Sequence, residues 1–311
     1  MADTLIPEPK FSNPDMTAKG ETRASVQWTG LKTLWLNTGT LCNIECANCY
    51  IESSPKNDRL VYLKREDVTP FLDEIDAPIE VGITGGEPFM CPDILGIMED
   101  VMARGHTLLL LTNAMRPMMR PRIKAGLEAL AKQFPNQLTL RVSLDSHDKR
   151  LHDDERGQGS FDEAVRGLGW LATTGISVAI AGRQALTEDD VVARNAYGAL
   201  AARIGLPLQA DDPKQLVLFP EMIVADDPPE ITTDCWGILN KHPSDIMCAN
   251  QRMVIRRKGA TRASVVACTL LVDDPAFELG HTLASATADP VKLNHPWCAS
   301  FCVLGGGSCS A

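Results

Sequence analysis

Short runs of consecutive apolar residues alternate along this chain with longer segments in which apolar residues return every three or four positions. The short runs predict buried strands and the longer segments predict one-sided helices, because these are the apolar periods of the two structures. Ser160 stands where the fourth helix should begin and is its expected N-cap. The predicted strands are residues 34–37, 79–84, 107–112, 138–144, 176–180 and 216–219, and the predicted helices are residues 65–75, 93–104, 121–134, 161–173 and 189–204.

Five of the six predicted strands are followed by a predicted helix. Repeated strand–helix units form parallel sheets with right-handed crossovers. We therefore predict an α/β fold, a partial (β/α)6 TIM-like barrel, followed by a small cysteine-rich C-terminal extension that contains a β-hairpin and a helix. The Asp- and Pro-rich segment 225–230 predicts a linker. It divides the chain into an N-terminal extension (1–30), a barrel (31–224) and a cysteine-rich domain (225–311).

Three cysteines follow the first predicted strand with C-x3-C-x2-C spacing: Cys42, Cys46 and Cys49. A four-iron cluster usually takes four thiolates, so a compact trio leaves one iron open to a ligand that is not protein. Zinc is the alternative, and it would need a fourth Cys or His at a comparable spacing. The next candidates are the distant Cys91 and His106. The spacing therefore favours an iron–sulfur site with one open iron.

With this cysteine loop, two further motifs resemble the radical S-adenosylmethionine (SAM) superfamily. Residues 81–88 read Val-Gly-Ile-Thr-Gly-Gly-Glu-Pro, like that family's Gly-Gly-Glu motif, and residues 141–145 read Arg-Val-Ser-Leu-Asp, like its ribose-contacting strand. The resemblance implies that the open iron binds SAM and that cluster reduction yields a 5′-deoxyadenosyl radical. It also implies an electron donor such as flavodoxin or ferredoxin. One departure is Asn48, where the family usually has an aromatic residue; Tyr50 follows the third cysteine instead.

Taken alone, these motifs would be a loop after a strand and a strand end with a solvated face, and it is their order, which resembles that of the family, that favours a nucleoside site. Gly85 and Gly86 lack a Cβ, so backbone can approach a ligand, and Glu87 can accept a hydrogen bond from an amine. Ser143 and Asp145 alternate with apolar residues and should face the same way. All these motifs end predicted strands, and that face is where parallel barrels build their sites.

Arg156 lies in a segment that resembles the one following the ribose strand in many radical SAM enzymes. The resemblance gives it one of two roles. It either binds the SAM carboxylate in two-pronged geometry or forms an ion pair with neighbouring Asp153 or Glu155. Arg183, after the fifth strand, is a similar candidate.

The tail holds six of the ten cysteines. Two apolar runs around Lys258-Gly259-Ala260 predict a β-hairpin that brings Cys248 and Cys268 together. The tail resembles the SPASM and shorter twitch extensions of radical SAM enzymes, which implies one auxiliary four-iron cluster. Five cysteines are candidates for its four ligand positions. Four of them are slightly preferred, namely Cys248, Cys268, Cys302 and Cys309, and Cys298 is the fifth candidate. Structural zinc on four of the five is the alternative. The remaining Cys91 and Cys235 are expected to be small buried hydrophobic residues.

Composition limits the classes of function. The 311 residues are 44% hydrophobic, carry a formal net charge of −10 and have a pI near 5.1. This acidic balance makes nucleic acid an improbable partner. The short basic run at Arg252, Arg256, Arg257 and Lys258 is either a local RNA patch or a solvated hairpin. The chain shows no signal peptide and no apolar stretch that could span a membrane, so we expect a cytoplasmic protein.

These observations predict an enzyme that cleaves SAM reductively and abstracts hydrogen from a substrate, with an auxiliary cluster as electron acceptor in a net oxidation. Only about thirty residues precede the first strand, too few for a peptide-recognition domain, which favours a small-molecule substrate over a peptide. The alternatives are a maturase of peptide or protein side chains, a redox-neutral enzyme with a structural zinc tail, a nucleic-acid-modifying enzyme, and a non-catalytic cluster carrier.

Overall fold

The structure is a computed structural model that describes residues 9–184, 188–220 and 227–305. Within these residues, strands and helices alternate as the apolar pattern predicts. The strands are β1 (Ser25–Val26), β2 (Thr33–Asn37), β3 (Glu80–Thr84), β4 (Thr107–Thr112), β5 (Leu138–Ser143), β6 (Ser177–Gln184), β7 (Leu216–Pro220), β8 (Gln251–Ile255), β9 (Ser264–Val266), β10 (Glu278–Gly280) and β11 (Val291–Lys292). The helices are α1 (Arg65–Asp73), α2 (Ile94–Ala103), α3 (Pro121–Gln133), α4 (Lys149–Arg156), α5 (Ser160–Leu171), α6 (Asp190–Arg203), α7 (Cys235–Ile238) and α8 (Leu283–Ala286), and a π-helix covers Cys298–Leu304.

One sheet of nine strands, in the order β10-β9-β8-β2-β3-β4-β5-β6-β7, forms the centre of the molecule. Strands β2 to β7 are parallel neighbours in chain order, which confirms the predicted six-unit partial barrel. Strand β8 adds a seventh parallel strand next to β2. The predicted hairpin is also present as antiparallel β8 and β9. The cysteine-rich tail therefore extends the barrel sheet itself.

Side chains on the two faces of this sheet form different cores. The outward face packs against the helices in one large apolar cluster. The inward face forms a smaller cluster around Trp35, which donates from Nε1 to Gln251 Oε1 over 2.9 Å. The Trp35 ring occupies the space beside Gly82, where a Cβ would lie 2.3 Å from it. Trp35 thus fills the barrel interior, and the polar site is confined to the carboxyl ends of the strands.

Helix α4 is absent from the sequence prediction. Its segment is strongly polar and buries only His152 and Asp153, so it offers almost no apolar period. The predicted N-cap of α5 is also wrong. Gly159, with φ 82°, holds the N-cap position, and the Ser160 hydroxyl donates to the buried Asp153 carboxylate over 3.2 Å.

The N-terminal segment packs against the cysteine-rich tail. Strand β1 pairs with β11, and Ala24 and Val26 join the apolar core of the tail. Buried Arg23 forms an ion pair with Glu230 at 2.5 Å. The expected linker lies partly outside the described residues, and its last residue is held by this ion pair. No helix in the described ranges is long and apolar enough to span a membrane.

Candidate functional site

The motifs from four strands meet in one cavity of about 220 Å³ at the carboxyl end of the barrel. The cavity is bounded by the cysteine loop after β2, by residues in or just after the carboxyl-terminal halves of β3 to β7, and by the π-helix of the tail. Its wall is mostly apolar, with a few polar groups. The predicted site residues on this wall are Cys42, Cys46, Cys49, Tyr50, Gly85, Gly86, Ser143, Asp145, Arg156, Arg183 and Cys302.

The three cysteines of the first motif lie on the loop after β2. Cys42 is buried and the other two are half-buried, and all three thiols are free of disulfides. The loop is held by its backbone, since Cys42 N donates to Ser54 O over 3.1 Å. The Cys49 sulfur accepts from Ser53 N over 3.2 Å. The motif thus presents three soft donors to one cavity, which is the donor chemistry that a four-iron cluster requires.

Burial keeps the thiols of Cys42 and Cys46 protonated when no metal is bound. It raises the pKa of Cys42 to about 12. It also raises the pKa of Cys46, although the nearby Arg156 guanidinium acts in the opposite direction. Metal ligation must therefore release protons from these cysteines. The described residues contain no group of three His, Cys, Asp or Glu side chains arranged for a single metal ion.

Gly85 and Gly86 allow the loop after β3 to lie directly against the cysteine loop. A Cβ on Gly85, whose φ is 142°, would lie 2.7 Å from Gly39 O, and a Cβ on Gly86 would lie 2.2 Å from Leu41 O. Gly86 N donates to Gly39 O over 2.8 Å. Both glycines also line the cavity. The two glycines thus allow the backbone of the cysteine loop, as well as any ligand, to lie close to the loop after β3.

Glu87 differs from the expectation that it faces a ligand amine. Its side chain is buried behind the cavity wall, and its carboxylate accepts bonds from Phe89 N, Thr112 Oγ1 and Asn113 N at 2.9–3.1 Å. Burial raises its pKa to about 7, against the lowering effect of these hydrogen bonds. Glu87 therefore ties the end of β4 to the loop after β3.

Asp145 and Arg156 form a two-pronged ion pair on the cavity wall. Arg156 Nε and Nη2 donate to the two Asp145 oxygens over 2.7 and 3.1 Å. Arg183 Nε lies 3.4 Å from Asp145 Oδ1. Burial would raise the pKa of Asp145, but the two arginines hold it below its usual value. Of the two sequence hypotheses for Arg156, the ion pair is observed, with Asp145 as partner instead of Asp153 or Glu155.

No pattern in the sequence predicts the contact between α4 and the cysteine loop. Ala47 N donates to Glu155 O over 2.9 Å, and Asn48 Nδ2 donates to Glu155 Oε2 over 2.5 Å. Asn48 is the residue that departs from the family pattern. Consecutive residues of α4 thus hold two sides of the cavity: Glu155 holds the cysteine loop and Arg156 holds the end of β5.

Four tail cysteines surround a second, small apolar cavity: Cys248, Cys268, Cys298 and Cys302. Cys309 lies outside the described residues. Burial raises the pKa of Cys248 to about 12 and that of Cys298 well above its usual value. Cys91 is buried, and its thiol donates to Leu63 O over 3.3 Å. Cys235 is half-buried against the core of the tail.

The basic run at the end of β8 is neither wholly solvated nor an open cationic patch. Arg256 pairs with Asp67 at 2.8 Å, Arg257 with Glu278 at 2.8 Å, and Lys258 with Asp58 at 2.6 Å. Arg252 is fully buried.

A parallel barrel whose first loop presents three thiols to a shared cavity defines an iron–sulfur barrel enzyme. The model of the Radical SAM superfamily matches residues 36–193. This match covers half of the chain, and the chain belongs to that superfamily. Membership confirms the predictions of an enzyme, of a SAM-binding four-iron cluster and of SAM itself.

Named relatives share parts of this chain. The subtilosin biosynthesis protein AlbA of Bacillus subtilis is 33% identical over 45% of this chain and 30% of its own length. The mycofactocin maturase MftC of Mycolicibacterium smegmatis is 30% identical over 54% of this chain and 41% of its own length. The matched segments thus span less than half of either relative. SuiB of Streptococcus suis, solved with its precursor peptide SuiA, has a TM-score of 0.56 at 13% identity over 89% of this chain and 66% of its own.

The preference for a small-molecule substrate is wrong. These relatives include a bacteriocin biosynthesis protein, a maturase and an enzyme solved with a precursor peptide. The length before the first strand misled the prediction, because it says nothing about how the barrel itself receives a substrate.

Proposed function

We propose that this protein cleaves SAM reductively and uses the radical to modify a residue of a peptide, with a second iron–sulfur cluster on the tail cysteines. One observation carries the proposal. Cys302 and Met247 line both the cavity of the cysteine loop and the small cavity of the tail cysteines. The two cysteine sites therefore share a wall, and a substrate in the larger cavity would lie beside both.

Cys42, Cys46 and Cys49 would hold the first cluster, which supplies the electron that cleaves SAM. Gly85 and Gly86 leave room for backbone to contact the cofactor. Ser143 and Asp145 lie on the same wall, where a hydroxyl and a carboxylate suit ribose hydroxyls. Tyr50 is the aromatic residue beside the third cysteine on this wall.

Arg156 keeps Asp145 ionised, so Asp145 acts as a hydrogen-bond acceptor and not as an acid. Arg156 thus reaches the cofactor indirectly, by fixing the orientation of that carboxylate. Glu87 supports the opposite wall through Thr112 and Asn113.

Apolar side chains form much of the remaining cavity wall. A reactive radical needs such a wall, because it exchanges hydrogen with accessible groups and is protected when water and mobile side chains are excluded. The tail contributes Phe301 and Leu270, and the barrel contributes Ile44, Ile51, Leu111 and Phe219.

Cys248, Cys268, Cys298 and Cys302 are our proposed ligands of the second cluster, since these four surround the small cavity. Four thiols that form no disulfide around one apolar space fit the donor set of a four-iron cluster, and they fit zinc equally well in type. The shared wall favours the iron–sulfur cluster, because a redox centre beside the substrate can remove the electron that a net oxidation releases. Zinc in this place could not accept that electron, which would favour a redox-neutral reaction.

A peptide substrate is supported by the relatives. AlbA and MftC match 45% and 54% of this chain, and SuiB shares the fold and was solved with its precursor peptide. We infer that a peptide segment enters the mouth of the barrel and places one side chain against the shared wall.

Metal analysis tests the two clusters. Iron, sulfide and zinc are measured after anaerobic reconstitution in the native chain, in a Cys42→Ala/Cys46→Ala/Cys49→Ala variant and in a Cys248→Ala/Cys298→Ala variant. We expect about eight irons in the native chain and about four in each variant. About four irons with zinc near one in the native chain would establish the redox-neutral alternative.

Mass spectrometry tests the substrate. The reduced enzyme is given SAM and a library of synthetic peptides, and peptide masses are followed together with 5′-deoxyadenosine. A peptide that loses two hydrogens, in proportion to the 5′-deoxyadenosine formed, supports the proposal. The triple-alanine variant is the control. Turnover of a small-molecule extract with every peptide mass unchanged would overturn it.

A further inference from the structure

Arg252 is the buried cation of the tail. Its side chain on β8 is 1% exposed and points out of the barrel toward α8 and Trp28. The guanidinium carbon lies 4.2 Å from the centre of the Trp28 ring. A charge removed from water in this way is strongly unfavourable unless an opposite charge lies close to it.

The hydrogen bonds of Arg252 all go to neutral backbone. Nε donates to Ala286 O over 2.8 Å, and Nη1 donates to Cys248 O over 2.7 Å and to Gln251 O over 2.8 Å. Nη2 is buried and has no hydrogen-bond partner in the described part of the chain. These bonds fix the position of the guanidinium but leave its charge unbalanced.

Two other arginines with little exposed side chain have carboxylate partners. Arg23 pairs with Glu230, and Arg156 pairs with Asp145. Among the described residues, no Asp or Glu forms an ion pair with Arg252. Its ionisable neighbours are Cys248 and Cys268. Burial lowers the pKa of Arg252 to about 10, so the side chain stays charged at neutral pH.

We propose that Arg252 is the counter-charge of the four-cysteine site in the tail. Four thiolates outweigh the positive charge of an oxidised four-iron core or of a zinc ion, so the loaded site is an anion. Arg252 donates directly to the backbone of one proposed ligand, Cys248, and the ionisable groups that interact with its charge are the two proposed ligands Cys248 and Cys268. It is a positioning and tuning residue, since it touches neither SAM nor substrate. This inference rests on the tail metal site of the proposed function.

A nearby positive charge stabilises the more negative, reduced form of a cluster. Removing that charge should therefore lower the reduction potential. The measurement uses the Cys42→Ala/Cys46→Ala/Cys49→Ala background, in which the tail cluster is the one observed, and follows its reduction by EPR in a potentiometric titration. We expect Arg252→Gln to make reduction on the order of tenfold less favourable, about 59 mV for one electron.

Two variants serve as controls. Arg252→Lys keeps the charge and should stay near the native potential. Arg257→Gln removes the same formal charge from the neighbouring turn, where Arg257 is already paired with Glu278, and should change nothing. Equal potentials for the Arg252→Gln and Arg257→Gln variants would overturn the inference.

Removal of a buried arginine can prevent folding, so a second substitution leaves Arg252 in place. Trp28 is half-buried beside the guanidinium. Trp28→Glu would bring a carboxylate to Arg252 and neutralise it, and should lower the potential, whereas Trp28→Gln should not. The same potential in both Trp28 variants would count against the counter-charge.

Metal analysis of these samples separates the two proposals. If the tail binds zinc instead of iron, the proposed second cluster is overturned. The counter-charge role of Arg252 is then tested by the zinc affinity of the tail. A tenfold weaker affinity in the Arg252→Gln variant supports the counter-charge, and an unchanged affinity overturns it. A tail that binds neither metal overturns both proposals.

Discussion

Gly86→Ala should displace the cysteine loop without touching a cysteine. The added Cβ would lie 2.2 Å from Leu41 O and 2.6 Å from Leu41 C. Both distances lie about 1 Å or more inside the optimal separation of about 3.5 Å. Backbone cannot rotate away as a side chain can, so either the loop after β3 or the residue before Cys42 must move.

The magnitude follows from these contacts. Overpacking of a well-packed site costs about 1–3 kcal/mol. The displacement also strains the bonds from Gly86 N to Gly39 O and from Glu87 N to Leu41 O, at 2.8 and 3.2 Å, and a hydrogen bond contributes about 1 kcal/mol. We expect a loss of about 3 kcal/mol in the free energy of unfolding, which is a large part of the stability of a typical domain.

Gly169→Ala is the matched control. Gly169 lies within α5, and a Cβ there would meet no atom within 4 Å. Alanine is favoured over glycine inside a helix by about 1 kcal/mol. The same chemical change should therefore stabilise the protein at one site and destabilise it at the other.

Urea unfolding and iron content measure the effect. The Gly86→Ala variant should unfold at lower urea and bind less iron at the cysteine loop, whereas the Gly169→Ala variant should bind the native amount. If Gly86→Ala keeps native stability and native iron content, then the contact between the two loops does not position the cysteines, and the reasoning is refuted.

Three other substitutions test the supports of the cavity. The pKa of Glu87, raised to about 7 by burial, means that the folded state binds a proton which the unfolded state releases near its ordinary pKa. Its contribution to stability is thus complete in acid and is lost as pH rises to about 7, and in urea unfolding of the metal-free protein Glu87→Gln should flatten this slope. Glu155→Ala should release iron from the cysteine loop to a chelator several-fold faster than Glu155→Gln, which keeps an acceptor oxygen for Asn48. Asp154→Ala is the control, and equal rates in all three variants would contradict the role of Glu155. Asp145→Asn leaves Arg156 buried without its carboxylate and should cost about 3 kcal/mol in urea unfolding, and an unchanged midpoint would show that the pair contributes little.

The local hydrophobic pattern predicts the strands of the barrel but not the polar contacts that hold the loops around its cavity. The apolar run Thr107–Thr112 matches β4 from end to end, because a fully covered strand needs no information from elsewhere in the chain. The same pattern does not predict α4, because α4 is stabilised by caps and buried polar contacts. Asp148 accepts from Leu151 N, and Asp153 accepts from Phe161 N. Hydrophobic periodicity does not contain such contacts.

Glu87 shows a second limit of sequence reasoning. The motif places a carboxylate beside two glycines, and the residue types alone suggest that it faces a ligand. Its direction depends on β4, whose end supplies Thr112 and Asn113 as donors, about twenty-five residues later in the chain. A donor set assembled from two strands exists only after the sheet has formed. The sequence therefore singles out Glu87 but does not predict that its side chain lies behind the cavity wall.

The choice among the tail cysteines shows a third limit. Sequence reasoning slightly prefers Cys309 to Cys298 as a ligand beside Cys302, and Cys309 lies outside the described residues. The π-helix distinguishes Cys298, because it places Cys298 and Cys302 on the same small cavity as the hairpin cysteines. Phe301, from the same helix, lines the larger cavity together with Cys302. One short helix thus borders both cavities, so under the proposed function a substitution there should affect metal binding in the smaller cavity and substrate access in the larger one.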